Sequence, residues 1–162
     1  MDEFRKPLTV VVDSREKKAL VFPKSVMVYD SLCGRPRRLL VSTVREKMEA
    51  GDYMLRGYED VVRVERKGSY REVEGNMLTR DIERQVRAFK KLEGASVFKG
   101  LFLETRGTDE AMSLMLQLVK QFGVDVLWMP TGRSAGVKME AGAMVLQYMV
   151  SCVLTHIKKG QS

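Results

Sequence analysis

An acid and a lysine two residues apart end a β-like run in this sequence, and together they have the chemistry of a hydrolytic site. The run is Val61 to Lys67, with Glu65 and Lys67 at alternate positions near its end. Because successive side chains of a strand point to opposite faces, these two emerge on the same face, about 7 Å apart along the backbone. Asp52 lies 13 positions before Glu65, directly after Gly51. The spacing predicts two carboxylates and an ammonium group in one site.

Phosphodiester hydrolysis uses these residue types. Mg²⁺ takes hard oxygen ligands and keeps several waters, so one or two carboxylates and a substrate phosphate oxygen make a typical site. Asp52 and Glu65 would supply the carboxylates to Mg²⁺ or Mn²⁺, which lowers the pKa of a bound water. Lys67 would orient that water or stabilise charge on the phosphate oxygens. Solvated charges on an edge strand give the same alternation, so spacing alone leaves both interpretations open.

A second group of charges follows the first apolar run, Leu8 to Val12. This nearly all-apolar, β-branched run predicts a strand buried on both faces, and it breaks into Asp13-Ser14-Arg15-Glu16. Charges at the carboxyl end of such a strand lie where open α/β sheets place their sites. An ordinary turn closing the strand is the alternative interpretation.

Taken together, three motifs resemble the nuclease domain of the XPF-like structure-specific endonucleases, a branch of the PD-(D/E)xK nucleases. They are Val11 to Glu16, Gly51-Asp52-Tyr53 and Glu65-Arg66-Lys67. The resemblance implies an α/β, restriction-endonuclease-like fold, with a mixed central sheet flanked by helices. It also implies metal-dependent cleavage of DNA near a branch, flap or junction. On this basis we assign Asp52, Glu65, Lys67 and Glu16 to catalysis, Asp52, Glu65 and Asp13 to the metal, and Arg15 and Arg66 to phosphate.

One departure from the family pattern concerns the acid expected four residues after the lysine, where this sequence has Arg71. Glu72 and Glu74 are close enough in sequence for one of them to approach the site if the following helix starts a residue later. The missing acid leaves a second function open, that of a catalytically weak DNA-binding or scaffold subunit that keeps the nuclease fold.

A helix with two distinct faces is predicted from Thr79 to Leu92. Its apolar stripe comprises Ile82, Val86 and Phe89. Four cations recur at the same spacing on the opposite side, within one narrow sector, and could follow a row of phosphates or form a solvated face. They are Arg80, Arg84, Arg87 and Lys91. Gln85 lies between the two stripes, and the resemblance loosely implies a glutamine that faces the site.

The composition is compatible with a nucleic-acid partner. The chain has 162 residues, with 28 Lys and Arg against 21 Asp and Glu, for a formal charge of +7. This excess favours polyanion contact but does not locate it. The length predicts a single domain over residues 1–162, with a β-hairpin insertion at about 24–44, and the resemblance implies that this is a nuclease domain. Later helices are expected from Asp109, with Thr108 as N-cap, and over Lys138 to Ile157.

Cysteine usage and the distribution of apolar residues indicate the cellular compartment of the protein. Cys33 and Cys152 have no ligand spacing, which predicts reduced thiols and an intracellular protein, in the cytoplasm with the nucleoid or in the nucleus. We find no secretion signal, and we expect the apolar stretch from Ala143 to Leu154 to be too short to span a bilayer. The resemblance implies a homodimer or heterodimer as a further possibility.

Overall fold

The architecture is a seven-stranded mixed sheet with helices on both faces, as predicted. The computed structural model describes residues 6–30, 34–104, 109–130 and 132–161. The strands are β1 Leu8–Asp13, β2 Ser25–Asp30, β3 Arg35–Glu46, β4 Tyr53–Leu55, β5 Val62–Lys67, β6 Phe98–Leu103 and β7 Asp125–Trp128. The helices are α1 Tyr70–Met77, α2 Ile82–Ala95, α3 Glu110–Gln121 and α4 Ala135–Gly160.

The strands are ordered β2-β3-β1-β4-β5-β6-β7 across the sheet. β1 pairs parallel with β3 and antiparallel with β4, β4 pairs antiparallel with β5, and β5, β6 and β7 are parallel. β2 and β3 pair antiparallel where the sequence predicts a hairpin. However, β3 continues to Glu46, past the predicted end of the hairpin at about residue 44, and its second half pairs with β1 in the central sheet.

The two larger hydrophobic clusters lie on opposite faces of the sheet. On one face α4 packs over β1, β4 and β5, with Val145, Leu146 and Met149 fully buried. On the other face α1, α2 and α3 pack over β6. Alternation in the strands produces this division, because one face of each strand must supply each cluster. The helices therefore cover both faces and leave the carboxyl ends of β1 and β5 to form a cleft.

The segment after Glu65-Arg66-Lys67 differs from the prediction, because it contains two helices where the sequence predicts one. α1 starts after Ser69, whose hydroxyl accepts a hydrogen bond from Glu72 N, as an N-cap does. α2 starts at Ile82, three residues later than predicted, and its buried residues are Gln85, Phe89 and Leu92. Ile82 and Val86 are half-buried, since the helix is rotated toward Gln85.

Two further expectations need correction. The N-cap of α3 is Asp109, whose carboxylate accepts from Met112 N at 3.1 Å, while the predicted cap Thr108 lies outside the described residues. α4 is longer than predicted, with 26 residues, and among the described residues it alone is long and apolar enough to cross a membrane by those two criteria. Here its buried side contributes to the core. Cys152 is free and buried in it; Cys33 lies outside the described residues.

The packing of α4 holds the segment that follows the Asp13 to Glu16 turn. Gly142 of α4 lies against the backbone of Val21, so a Cβ at Gly142 would clash with the Val21 carbonyl oxygen. Next to it, Leu20 N donates to the Tyr53 hydroxyl at 3.1 Å. The close approach at Gly142 thus links α4 to the chain that leads out of the cleft.

Gly142→Ala tests this packing. Replacing glycine by alanine inside a helix normally stabilises by about 0.5–1 kcal/mol. At Gly142 we expect the opposite sign, a loss of about 1–3 kcal/mol in the free energy of unfolding, because the backbone must move to admit the methyl group. Gly94→Ala in α2 is the control, since a Cβ there meets nothing within 4 Å. Urea unfolding of both variants checks the contrast, and equal effects would contradict the packing.

Candidate active site

Strand β5 divides its side chains between the two faces of the sheet. Arg63, Glu65 and Lys67 point to the face covered by α2, whereas Arg66 points to the face covered by α4. The side chains of Glu65 and Lys67 are 15% and 9% exposed, with Lys67 Nζ 3.4 Å from Glu65 Oε1. The predicted acid and lysine therefore share one face, as the alternation requires.

Asp52 is fixed to β5 by two hydrogen bonds to its backbone. Its amide donates to Val64 O at 2.7 Å, and its Oδ2 accepts from Arg66 N at 2.8 Å. The preceding Gly51 has a φ of +78°, and a Cβ there would lie 3.1 Å from Val64 O. Glycine is needed for both reasons, since this φ and this proximity disfavour any side chain. The Gly51-Asp52 pair thus brings the Asp52 carboxylate next to Glu65.

Burial and mutual repulsion act on the two carboxyl groups. Burial raises the pKa of Asp52 well above its ordinary value, and the negative charge of Glu65 raises it further, against a lowering by the hydrogen bond from Arg66 N. Burial also raises the pKa of Glu65, while Lys67 opposes the shift. Two carboxyl groups in this state gain from a nearby cation, which would favour their charged forms.

Glu72 reaches Lys67 from α1, the helix that also carries Arg71. Glu72 Oε1 lies 3.7 Å from Lys67 Nζ, and Glu72 Oε2 accepts from Gly68 N at 3.0 Å. Arg71 is exposed and does not line the cleft. Glu72 lines it, whereas Glu74 does not, because α1 starts directly after the strand and turns position 72 toward Lys67.

Asp13 and Arg15 reach the cleft as a pair. The Asp13 amide donates to Asp52 O at 2.9 Å. Its side-chain oxygens accept from Arg15 and, at 3.4 Å, from Met48 N, and Arg15 Nη2 lies 2.9 Å from Asp13 Oδ2. Burial alone would raise the pKa of Asp13, but these hydrogen bonds together lower it. Asp13 therefore secures the turn and Arg15, and it has less free coordination capacity than Asp52 or Glu65.

Glu16 and Arg66 lie together and outside the lining of the cleft that contains Asp52, Glu65 and Lys67. Arg66 Nη1 is 3.6 Å from Glu16 Oε1, and Arg66 donates to Glu104 Oε1 at 2.9 Å and to Lys18 O at 2.9 Å. Arg66 is 8% exposed. The structure thus does not bring the Arg66 guanidinium into the cleft with Lys67. The negative charge of Glu16 still contributes to raising the pKa values of Asp52 and Glu65.

Helix α2 forms one wall of the cleft, which is a cavity of about 560 Å³. Three of the four predicted cations line it, namely Arg84, Arg87 and Lys91, while Arg80 precedes the helix and lies outside the lining. Gln85 also lines the cleft and is 3% exposed, and its Nε2 has no hydrogen-bond partner among the described residues. A buried donor without a partner is costly, and a bound water or phosphate oxygen would satisfy it.

Two polar residues of the lining, Glu49 and Asn76, were not predicted from the sequence. Asn76 lies on α1, the helix that was not predicted. Glu49 precedes Ala50 in the segment that leads to Asp52, where no strand or helix period gives a direction. Neither position carried a local signal for the cleft.

The donor set fits a hard divalent cation held by two carboxylates. Asp52 and Glu65 converge with raised pKa values, and an orphaned amide donor faces the same space. No cluster of three or more His, Cys, Asp or Glu side chains with metal-site geometry occurs in the described part of the chain. A cation here would thus complete its shell with waters and substrate oxygens, as Mg²⁺ commonly does.

The fold is similar to that of XPF from Aeropyrum pernix. One structure of that protein has a TM-score of 0.57 at 17% identity, covering 88% of this chain and 60% of the other. Another, of that protein in complex with DNA, has a TM-score of 0.57 at 18% identity, covering 88% of this chain and 63% of the other. This chain therefore spans less than two thirds of the XPF chain. No protein-family profile matches the sequence, and neither does any curated protein. The similarity shows an XPF-like nuclease fold.

Asp52→Asn should stabilise the protein in the presence of a chelator. A carboxyl whose pKa is raised by folding stabilises only below its unfolded-state pKa, and that contribution is lost as pH rises through the folded-state pKa. An asparagine keeps an oxygen for Arg66 N and avoids this loss. At about pH 8 we expect the variant to melt at the higher temperature, with a gap that narrows toward about pH 4.

Thermal unfolding at several pH values measures the gap. Glu93→Gln, at an exposed position of α2, is the control, and it should track the wild type throughout. A variant that melts at or below the wild-type temperature near neutral pH would contradict the electrostatic account of the site.

Proposed function

We propose that this chain is a metal-dependent endonuclease that hydrolyses DNA phosphodiester bonds at branched, flap or junction structures. The observation that carries the proposal is the convergence of Asp52, Glu65 and Lys67 in one cleft beside a cationic helix face. The XPF-like fold, together with an XPF structure titled as a DNA complex, supports a DNA substrate. Asp52 and Glu65 form an acidic floor that suits a cation, and the cations of α2 form a basic wall that suits a phosphate backbone.

The proposed metal is Mg²⁺ or Mn²⁺, held by the carboxylates of Asp52 and Glu65. When bound, such an ion polarises the phosphoryl oxygen and lowers the pKa of a coordinated water. The chain supplies the rest of the environment. Because Asp52 accepts from the backbone of β5, its position relative to Glu65 is fixed before the cation arrives.

Lys67 is placed to act on the scissile phosphate. Its ammonium lies between Glu65 and Glu72, at 3.4 and 3.7 Å, so both acids orient it. A charged donor in a recessed site stabilises negative charge that develops on phosphate oxygens. Gln85 Nε2, whose hydrogen remains unused in the described structure, can donate to the attacking water or to a phosphate oxygen.

The cationic side chains of α2 would bind the phosphates of the substrate. Arg84, Arg87 and Lys91 line the cleft within six residues of Gln85, which is less than two turns of helix, and Arg15 also lines it. Contacts from such side chains to phosphates position a nucleic acid without reading its sequence. Recognition of a branch or flap must then come from the shape of the DNA.

One observation favours the second function, a DNA-binding or scaffold subunit with weak catalysis. No group of three or more acids with metal-site geometry occurs in the described part of the chain, and Glu72 is paired with Lys67 and 45% exposed. Such a subunit would bind DNA with the same cations and cleave it slowly or not at all.

Cleavage assays separate the two functions. Labelled flap, splayed-arm and blunt duplex DNA are incubated with and without Mg²⁺, using wild type and Glu65→Gln. We expect cutting of the branched substrates only with Mg²⁺, and a loss of at least about 100-fold in Glu65→Gln, because a ligand and a charge are removed together.

Glu74→Gln is the matched control, since Glu74 lies on the adjacent helix outside the cleft. It should cleave as the wild type does. If wild type binds the branched DNA but cuts none of it, the scaffold function replaces the enzyme.

The cations of α2 that line the cleft should determine DNA affinity and its dependence on salt. Arg84→Ala and Arg87→Ala should each weaken DNA binding and lower the slope of log affinity against log salt by about 0.7–0.9, because each removes one phosphate contact. Arg80→Ala should change neither quantity, since Arg80 lies outside the cleft. Fluorescence anisotropy titrations over a range of salt check this, and an equal loss in Arg80→Ala would show that binding follows net charge alone.

A further inference from the structure

The segment that leads into Asp52 lies between two strands and belongs to neither of them. β3 ends at Glu46 and β4 starts at Tyr53. Within the segment, Met48 and Ala50 are buried, at 2% and 7% exposed. A buried backbone carbonyl needs a hydrogen-bond donor. Because these two residues have no strand partner to supply one, the donors must come from side chains of other segments.

Two arginines supply these donors. Arg15 Nη2 donates to Met48 O at 2.6 Å, and Arg63 Nη1 donates to Ala50 O at 3.0 Å. Arg15 belongs to the charged motif after β1. Arg63 lies on β5, two residues before Glu65, and belongs to none of the three motifs that carry the resemblance. Those motifs therefore assign no role to Arg63.

A second hydrogen bond fixes the Arg63 guanidinium. Its Nε donates at 2.9 Å to Glu59 O, in the turn between β4 and β5. The side chain is half-buried at the floor of a groove that adjoins the cleft, a cavity of about 890 Å³ between the segment 47–50, β5 and the last turns of α2. The guanidinium thus bridges the β4–β5 turn and the segment that leads into Asp52.

This bridge supports a strand pairing that is short. β4 has three residues and pairs with β5 at only two positions. Directly before it, Gly51 has a φ of +78°, and a glycine has so much backbone freedom that its neighbours must set its conformation. The hydrogen bond from Asp52 N to Val64 O holds the peptide after Gly51. The one from Arg63 to Ala50 O holds the peptide before it.

We infer that Arg63 is a positioning residue for the proposed divalent cation. By holding Ala50 O, it keeps the Asp52 carboxylate beside Glu65 before the cation arrives. The inference rests on the proposed function and deepens it, because it names a residue outside the three motifs that determines how tightly the cation binds. Groups that orient a metal ligand commonly change metal affinity by about 10- to 100-fold when they are removed.

Direct contact with a substrate phosphate is the alternative role for a cation in this groove. The two roles predict different losses when Arg63 is removed. Loss of a phosphate contact would weaken DNA binding in a chelator and lower its salt dependence. Loss of a positioning residue would leave DNA binding in a chelator unchanged and weaken cation binding instead.

Titration with Mn²⁺ in the absence of DNA tests the inference without requiring cleavage. Electron paramagnetic resonance of the free ion measures the dissociation constant, which we expect to rise about tenfold in Arg63→Ala. Arg63→Lys should bind with intermediate affinity, because an ammonium can still donate to one of the two carbonyls. It carries the test if the alanine variant does not fold. Arg56→Ala is the matched control, since Arg56 pairs with Glu46 outside the cleft, and it should bind as the wild type does.

Amide hydrogen exchange in a chelator gives a second, metal-free measurement. In Arg63→Ala, residues 48–52 should exchange faster, including the Asp52 amide that donates to Val64 O. The buried amides of α4 should keep their rates, because a local opening does not require the core to unfold. Equal acceleration in α4 would show that Arg63 supports the whole fold rather than this segment, and it would overturn the inference.

Anisotropy titrations with flap DNA in a chelator separate Arg63 from the proposed phosphate contacts. Arg63→Ala should bind the DNA as the wild type does, whereas Arg87→Ala should lose DNA affinity and keep its Mn²⁺ affinity. Weaker Mn²⁺ binding with unchanged DNA binding supports the inference, even if the wild type cuts no DNA and the proposed enzyme fails. Unchanged Mn²⁺ affinity in Arg63→Ala and Arg63→Lys overturns it and leaves the cleavage result at Glu65 unaffected. A wild type that binds no Mn²⁺ overturns both proposals.

Discussion

The connection between Asp52 and the backbone of β5 is the constraint on which the site depends. Two hydrogen bonds, from Asp52 N to Val64 O and from Arg66 N to Asp52 Oδ2, tie the residue to the strand that carries Glu65. They are possible because Gly51 adopts a positive φ and has no side chain between the strands. The carboxylates are therefore held close together by the backbone, against their mutual repulsion.

This arrangement has a cost in stability that the rest of the fold must offset. Burial and repulsion raise the pKa values of both carboxyl groups, so the charged pair destabilises the cation-free protein near neutral pH. The core on both faces of β5 opposes this effect, with Val62 and Val64 fully buried beneath α4. A divalent cation would reverse the sign of the interaction, and binding it would stabilise the fold.

Strand alternation also explains why one short strand serves three purposes. Even-numbered positions of β5 face α4, where Arg66 is satisfied by Glu16 and Glu104. Odd-numbered positions face α2 and form the floor of the cleft and of the adjoining groove. The helix α2 then closes both spaces with a basic wall. Acidic and basic side chains therefore line the same cleft, as the proposed metal-dependent cleavage of a polyanion requires.

The sequence predicted the mixed α/β fold, the positions of most strands, and the convergence of Asp52, Glu65 and Lys67. These follow from local rules. Alternation decides which face of the sheet a strand side chain points to, and a glycine before Asp52 indicates a turn at that position. The same rules placed Arg84, Arg87 and Lys91 on one sector of a helix, although the start of that helix was predicted three residues early. A short helix, α1, escaped prediction because few apolar residues mark its period.

Only the tertiary structure decided which charged residues enter the cleft. Asp13 could be a ligand by sequence, but the fold brings Met48 N and Arg15 to its oxygens. Glu72 rather than Arg71 reaches Lys67, because Ser69 sets where α1 begins. The reason is physical: a local pattern fixes the direction of a side chain relative to its own strand or helix. Its partners come from segments distant in the chain, and only packing brings these together.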